Sequence, residues 1–320
     1  GKAIMLQFVP PGLHFDFLGK AKFSIGLSIA VITIGLFSVL LHGGLRQGID
    51  FSGGTLLHLG FSQPADLNLV RSALKTVELE QSVVQHFGNE REVLIRIAQS
   101  AGESEAIGPK VLQALQMQFP TQMIEVLRLE VVGPQVSTDL RRQALFAMFY
   151  AILGIVIYLS GRFEAKWVIA IVLAAIIFVV TYPIMVWFPG VSPTVLIIVA
   201  LAVTTAFGWK LQLHYAQAAL VAIYHDVLVT VGFLSLFNKE FDLQIVAALL
   251  TLIGYSLNDT IVIFDRVREN LRGRRRDSLY DIVNLSLNET LSRTILTSGL
   301  TLLVVIALFF FGGEVIHDFS

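Results

Sequence analysis

The stretch Leu243 to Phe264, LQIVAALLTLIGYSLNDTIVIF, decides the fold class. It runs for 22 residues and holds one formally charged side chain, Asp259. A helix needs about 20 largely apolar residues to cross hydrocarbon about 30 Å thick, because no water is there to satisfy open backbone groups. The stretch reads as a membrane span with an acid inside it.

Working outward, six further segments carry the same signature: 23–41, 143–160, 167–187, 193–209, 216–237 and 290–312. The 193–209 segment is the weakest, short and bounded by Pro193 and Trp209. Trp167, Trp187 and Trp209 fall at span ends, where amphipathic rings favour the headgroup layer. The 320 residues are 55% hydrophobic and 15% charged, against about 45–50% and 25% in soluble domains. A net charge of −1 without a basic stripe excludes nucleic acid as a partner. With no cysteine, thiol catalysis, disulfides and cysteine-bound metals are excluded, and the seven histidines form no HExxH-type spacing. No cofactor and no covalent catalysis are expected. The 23–41 run is too long for a signal-peptide core and no A-x-A-like site follows it, so it reads as a retained anchor.

Lysine and arginine set the orientation. With a cytoplasmic N-terminus, the inner side holds Lys2, Lys20, Lys22, Arg162, Lys166, Lys210 and the run Arg266, Arg268, Arg272, Arg274, Arg275 and Arg276. The short outer loops hold only Lys239. Arg141 and Arg142 oppose the rule, but they end a long translocated segment, which it weighs lightly.

That segment, 42–142, has a different character. It opens on a glycine-punctuated turn, Gly48-Ile49-Asp50-Phe51-Ser52-Gly53-Gly54-Thr55, followed by a short apolar alternation, Leu56 to Phe61. Pro64-Ala65-Asp66 can cap a helix running to about Leu79. Ser82 to Phe87 and Glu92 to Ala98 read as strands joined around Gly88-Asn89, Ala106 to Phe119 as a helix, and Met123 to Val132 as a last strand. The order is β-α-β-β-α-β, a ferredoxin-like α+β domain outside the membrane. The glycine turn lacks the lysine of a phosphate loop, so nucleotide binding is rejected.

The first four spans hold no Asp, Glu, Lys or Arg; the last three hold one each, Asp226, Asp259 and Arg293. Each costs at least about 2.5–3.5 kcal/mol in hydrocarbon and should face water or a partner. At 1.5 Å per residue, Asp259 lies about 24 Å and Arg293 about 28 Å from the outer ends of their spans, so they can meet. Tyr255, Ser256, Asn258 and Thr260 surround Asp259, while Thr290, Thr297 and Thr301 share a helical face with Arg293. Burial favours a neutral carboxyl and a nearby guanidinium an ionised one. An Asp whose distance to an Arg changes is therefore a protonation switch, and one whose distance is fixed is a helix clamp. His225 beside Asp226 reads as a helix–helix hydrogen bond, with a proton relay as the alternative. The arginines of 272–276 read as a topology determinant touching anionic lipid.

Gly48 to Thr55 after a first span, Tyr-His-Asp-Val at 224–227, Ile253 to Asn270, Leu291 to Ser298 and Ala307 to Val315 together resemble the SecF family, part of the RND superfamily. The resemblance implies a polytopic helical bundle of the bacterial inner membrane, working with SecD beside the SecYEG channel, with YajC and YidC as further neighbours. It implies use of the proton gradient to draw unfolded secreted polypeptide outward. The positions matching Asp259 and Arg293 are associated there with proton conduction, and Asp226 matches another acidic position. Two departures stand out. A sixth family span is expected after Gly312-Gly313, where this chain stops at Ser320, and 167–209 form an added hairpin between Arg162–Lys166 and the His-Asp span. The expected organisation is an anchor over 1–41, an outer domain over 42–142 and a helical membrane domain over 143–320, about seven spans in all. An RND-type antiporter of small molecules or ions would need a pocket of convergent polar groups and two large outer domains. A non-conducting scaffold for SecD would need only the clamp.

Overall fold

The computed structural model describes residues 14–98, 107–187 and 193–312. The chain divides into two compact units: one of Gly1–Leu45, Leu145–Lys239 and Ile245–Ser320, the other of Arg46–Ala144 and Glu240–Gln244.

The second unit is the α+β one. After a one-turn helix, α2 (Ile49–Ser52), come β1 (Gly54–Phe61), α3 (Leu67–Lys75), β2 (Val83–Phe87), β3 (Asn89–Ile97), α4 (Ile107–Gln118) and β4 (Ile124–Val132). The strands form an antiparallel sheet in the order β2-β3-β1-β4. Alternation on β1 and β3 sends Leu57, Leu59, Phe61, Val93, Ile95 and Ile97 into one core with Val70, Leu74, Val111 and Leu115 of the two helices. Asp66 caps α3 by accepting the Asn68 N–H at 2.8 Å. That helix stops at Lys75, short of the expected Leu79, because Glu78 takes a left-handed φ of 64°. The glycine-rich opening holds the four-residue α2 where the sequence suggested only a turn, and β3 starts at Asn89 within the expected turn.

The first unit is helical: α1 (Ala21–Leu41), α5 (Pro134–Glu164), α6 (Trp167–Trp187), α7 (Pro193–Lys210), α8 (His214–Leu236), α9 (Leu243–Gly273) and α10 (Leu279–Phe311), with α5 and α9 each beginning in the other unit. Six of these are long and apolar enough to cross a membrane among the described residues; α7, the weakest segment of the sequence, is not one of them. The helices α5, α9 and α10 outrun the apolar segments that announced them, since hydropathy marks only the part in hydrocarbon and polar turns continue the same helix.

Helices α1 and α8 make the closest packing. A Cβ on Gly35 would stand 2.6 Å from the Gly232 Cα, so the backbones touch there. Ser38 and Ser235 hydroxyls meet at 2.9 Å, and Ser28 Oγ lies 3.0 Å from His225 Nε2. All three pairs share one sequence offset, so the helices run parallel. Small residues that admit close approach, plus cross-helix hydrogen bonds, hold helices together where lipid removes the hydrophobic drive. In the N-terminal half of α10, Asn288 and Asn284 accept the Phe15 and Phe17 N–H groups at 2.8 and 2.9 Å.

The hairpin α6–α7 joins the bundle at a closed root. Lys166 Nζ donates to the Leu211 and Gln212 carbonyls at 2.8 and 3.0 Å, and Glu164 Oε1 accepts the Tyr215 N–H at 3.0 Å. Ala165 and Gln212, one at each side of the root, both have a φ of 54°. Its turn, 188–192, lies outside the described residues, as do 313–320, where the departure toward a sixth family span falls.

Candidate functional site

Within the bundle, α8 and α9 carry ionisable groups that hydrogen-bond to hydroxyls of α1, α9 and α10 in two sets, one around Asp226 and one around Asp259. On α8, His225 Nδ1 is 2.8 Å from Asp226 Oδ1. A carboxylate only accepts, so Nδ1 carries the proton and a neutral ring accepts the Ser28 hydroxyl at Nε2. Across to α9, the Ser256 hydroxyl donates to Asp226 Oδ2 at 2.5 Å. One turn along the same face stands Asp259, with the hydroxyls of Thr297 and Ser298 on α10 donating to its two carboxylate oxygens, both at 3.3 Å. A polar file thus runs Ser28, His225, Asp226, Ser256, Asp259, Thr297 and Ser298 through α1, α8, α9 and α10.

Arg293 lies one turn from Thr297 on α10, exposed, and among the described residues no ion pair joins it to Asp259. The two residues stand on neighbouring helices, α9 and α10, without an ion pair between them. Of the remaining polar neighbours, Thr260 folds its hydroxyl back on the Ser256 carbonyl at 3.0 Å, and Asn258 is exposed. The Tyr255 hydroxyl is buried without a hydrogen-bond partner among the described residues. His225 both contacts Asp226 and crosses to α1, so the two roles weighed for it coexist geometrically. Ser28 was missed by sequence reading: a lone serine in an apolar run gives no signal until its partner helix is known. Farther along α9 and α10, Asn270 donates to Glu289 at 2.8 Å and Arg162 of α5 to Asp265 at 2.5 Å, fixing the polar ends of the bundle.

In the α+β unit the glycine-rich opening packs against the segment 240–244. Gly48 N–H donates to the Phe241 carbonyl at 2.9 Å, and Phe241 N–H donates to the Arg46 carbonyl at 2.7 Å. Phe51 and Phe241 rings lie 5.7 Å apart. Asp50 Oδ2 accepts the Leu243 N–H at 3.1 Å, capping α9 from another element. Glu240 is held between Arg46, at 3.2 Å, and Arg96, which it pairs with directly. Burial pushes the Arg96 guanidinium down to about 10, Arg46 adds to the shift by like charge and Asp242 opposes it. Arg96 therefore stays charged at neutral pH. Gly53 and Gly54 take positive φ where the chain passes from α2 into β1, and Thr55 is fully buried on that strand. Glu240 and Arg96 carried no sequence signal, because nothing in the order of residues shows that a loop after 237 returns to a domain ending near 142.

These features define a class: a multi-pass helical membrane protein with acids and hydroxyls threaded through its bundle and one α+β unit. Residues 111–203 and 190–320 match the family described as protein export membrane protein SecD/SecF, C-terminal, and residues 38–65 match the SecD/SecF GG motif. The two longer matches overlap over residues 190–203, most of which lie in α7. The chain is 39% identical to the protein translocase subunit SecF of Calditerrivibrio nitroreducens, over 99% of this chain and 90% of that one. It is 34% identical to SecF of Escherichia coli O157:H7, over 96% and 80%. The crystal structure of SecDF, a translocon-associated membrane protein from Thermus thermophilus, superimposes with a TM-score of 0.66 at 29% identity. That match covers 96% of this chain, which spans about a third (35%) of the longer SecDF chain. The chain belongs to the SecF family of protein-export membrane proteins.

Proposed function

We propose that this chain is an auxiliary subunit of the Sec translocase in the bacterial inner membrane, working with SecD beside SecYEG to draw secreted polypeptide outward with the proton gradient. The N-terminus is cytoplasmic and the α+β unit is the ferredoxin-like outer domain, over residues 42–142. Seven crossings are supported by the parallel run of α1 and α8, which requires an odd number of crossings between them; α5, α6 and α7 supply three.

The observation that carries the reading is the pairing of Asp259 with two neutral hydroxyls, with Arg293 one helical turn off. Hydroxyls serve either protonation state, donating to a carboxylate or accepting from a carboxylic acid. A carboxyl set this way keeps hydrogen-bond partners in both protonation states, with or without Arg293 beside it. In the proposed cycle the ionised Asp259 draws Arg293 in, and protonation releases it, shifting α10 against α9. The file through Ser256, Asp226, His225 and Ser28 supplies further proton-holding groups. A potential of 100 mV contributes about 2.3 kcal/mol per charge moved, enough to bias such a two-state rearrangement.

The test is export of a reporter protein in cells carrying Asp259→Asn, with recovery of SecD measured in parallel. Asn keeps the size and hydrogen bonds but cannot ionise, so export is expected to fall at least tenfold with SecD recovery unchanged. Undiminished export would refute the coupling role and leave the scaffold.

A further inference from the structure

Residues 240–244 lead from the loop after α8 into the first residues of α9, yet they belong to the α+β unit. The contacts that place them there are of several independent kinds. Backbone hydrogen bonds run both ways, Gly48 N–H to Phe241 O and Phe241 N–H to Arg46 O, at 2.9 and 2.7 Å. Gln47 and Phe241 form a parallel bridge pair. One carboxylate, Glu240, is shared by two guanidiniums, and the Arg96 side chain is only 13% exposed. A Cβ on Gly48 would stand 2.9 Å from the Asp242 Cβ, so the approach is closed to larger residues. Finally, the Asp50 carboxylate caps the first turn of α9, whose N-terminal dipole favours an anion.

The same α9 continues unbroken from Leu243 to Gly273 and carries Asp259. Asp259 is sixteen residues from Leu243 along the same helix. We infer that Arg46, Asp50, Arg96 and Glu240 are positioning residues. They form a clasp that stays closed through the cycle and makes the first turn of α9 part of the α+β unit, so that movement of the Asp259 helix is delivered to that unit. The inference rests on the proton-coupled reading of Asp259. It assigns the first half of the glycine-rich opening, Gly48 to Phe51, to gripping the 240–244 segment.

The experiment uses the full chain with SecD, and the absence of native cysteines makes introduced ones unambiguous. Glu240→Ala should lower reporter export at least fivefold, Glu240→Asp should recover a large part of it, and amide exchange at Phe241 and Gly48 should accelerate in Glu240→Ala but not in Asp259→Asn. A disulfide between Gln47→Cys and Phe241→Cys should leave export within twofold of wild type. Added to Glu240→Ala, it should restore both export and any lost SecD recovery. Wild-type export by Glu240→Ala, arrest by the disulfide, or failure of the disulfide to rescue Glu240→Ala would each overturn the clasp. Asp259→Asn run alongside separates the two claims. If it exports normally the coupling reading falls, and if it is inactive while Glu240→Ala is active only the clasp falls.

Discussion

At Gly54 the backbone has a φ of 126°, and a Cβ there would stand 2.5 Å from the Ile97 carbonyl oxygen on the neighbouring strand. The position excludes every other residue twice, by dihedral and by contact. Gly54→Ala must bend β1 away from β3 at the start of their pairing, at a cost of about 1–3 kcal/mol. Resistance of the α+β unit to pulse proteolysis is expected to fall accordingly, with export falling only as far as protein level does. Asp259 shows the opposite kind of residue, one whose environment tolerates two states. Its presence was legible in the sequence, because the only formal charge in a 22-residue, largely apolar stretch stands out. Its partners were not. Thr297 entered the sequence reading as a residue on the face of Arg293 and Ser298 only within the stretch that carries the family resemblance, and the rotation of α10 about its axis decides that both meet the acid.

Between elements, the contact of α1 with α8 depends on the Gly35–Gly232 crossing more than on any apolar pair. Both helices present large exposed side chains elsewhere, Phe37, Leu40 and Phe233 among them, which fit lipid or a partner subunit. Gly35→Leu would force the backbones apart by a side-chain width and separate Ser38 from Ser235 and Ser28 from His225. Overpacking of this kind costs about 1–3 kcal/mol. The expected outcome is a lower thermal unfolding midpoint in detergent, measured by fluorescence-detected size exclusion, with Gly35→Ala milder but in the same direction. The β-α-β-β-α-β order was readable from alternation and turn chemistry. The exact helix lengths were not, as α5, α9 and α10 show by running past their apolar segments into polar turns.

Over the whole molecule, the hairpin α6–α7 is the element whose place the fold makes plain. Its two ends are tied by Lys166 to the carbonyls of Leu211 and Gln212, and by Glu164 to the start of α8, so the bundle closes without it. Excision of 167–210, with Lys166 joined to Leu211 through two glycines, removes α6 and α7 together and, on the proposed seven-crossing topology, keeps the direction of α8. SecD recovery and export are expected to stay within threefold of wild type, and loss of both would show that the hairpin carries part of the bundle. Sequence by itself determined that the chain spans the membrane, that a separate α+β unit interrupts the spans, and that the last three spans carry one charged residue each, Asp226, Asp259 and Arg293. These follow from local quantities: runs of apolar residues, periods of two and 3.6, and rise per residue. Tertiary structure alone decided that Ser28 and Ser256 complete a file with His225 and Asp226, that Asp259 rests on hydroxyls, and that Glu240 returns to Arg96 across 144 positions of sequence. Such pairings depend on helix rotation and on long-range loop closure, and neither is encoded in any short window of residues.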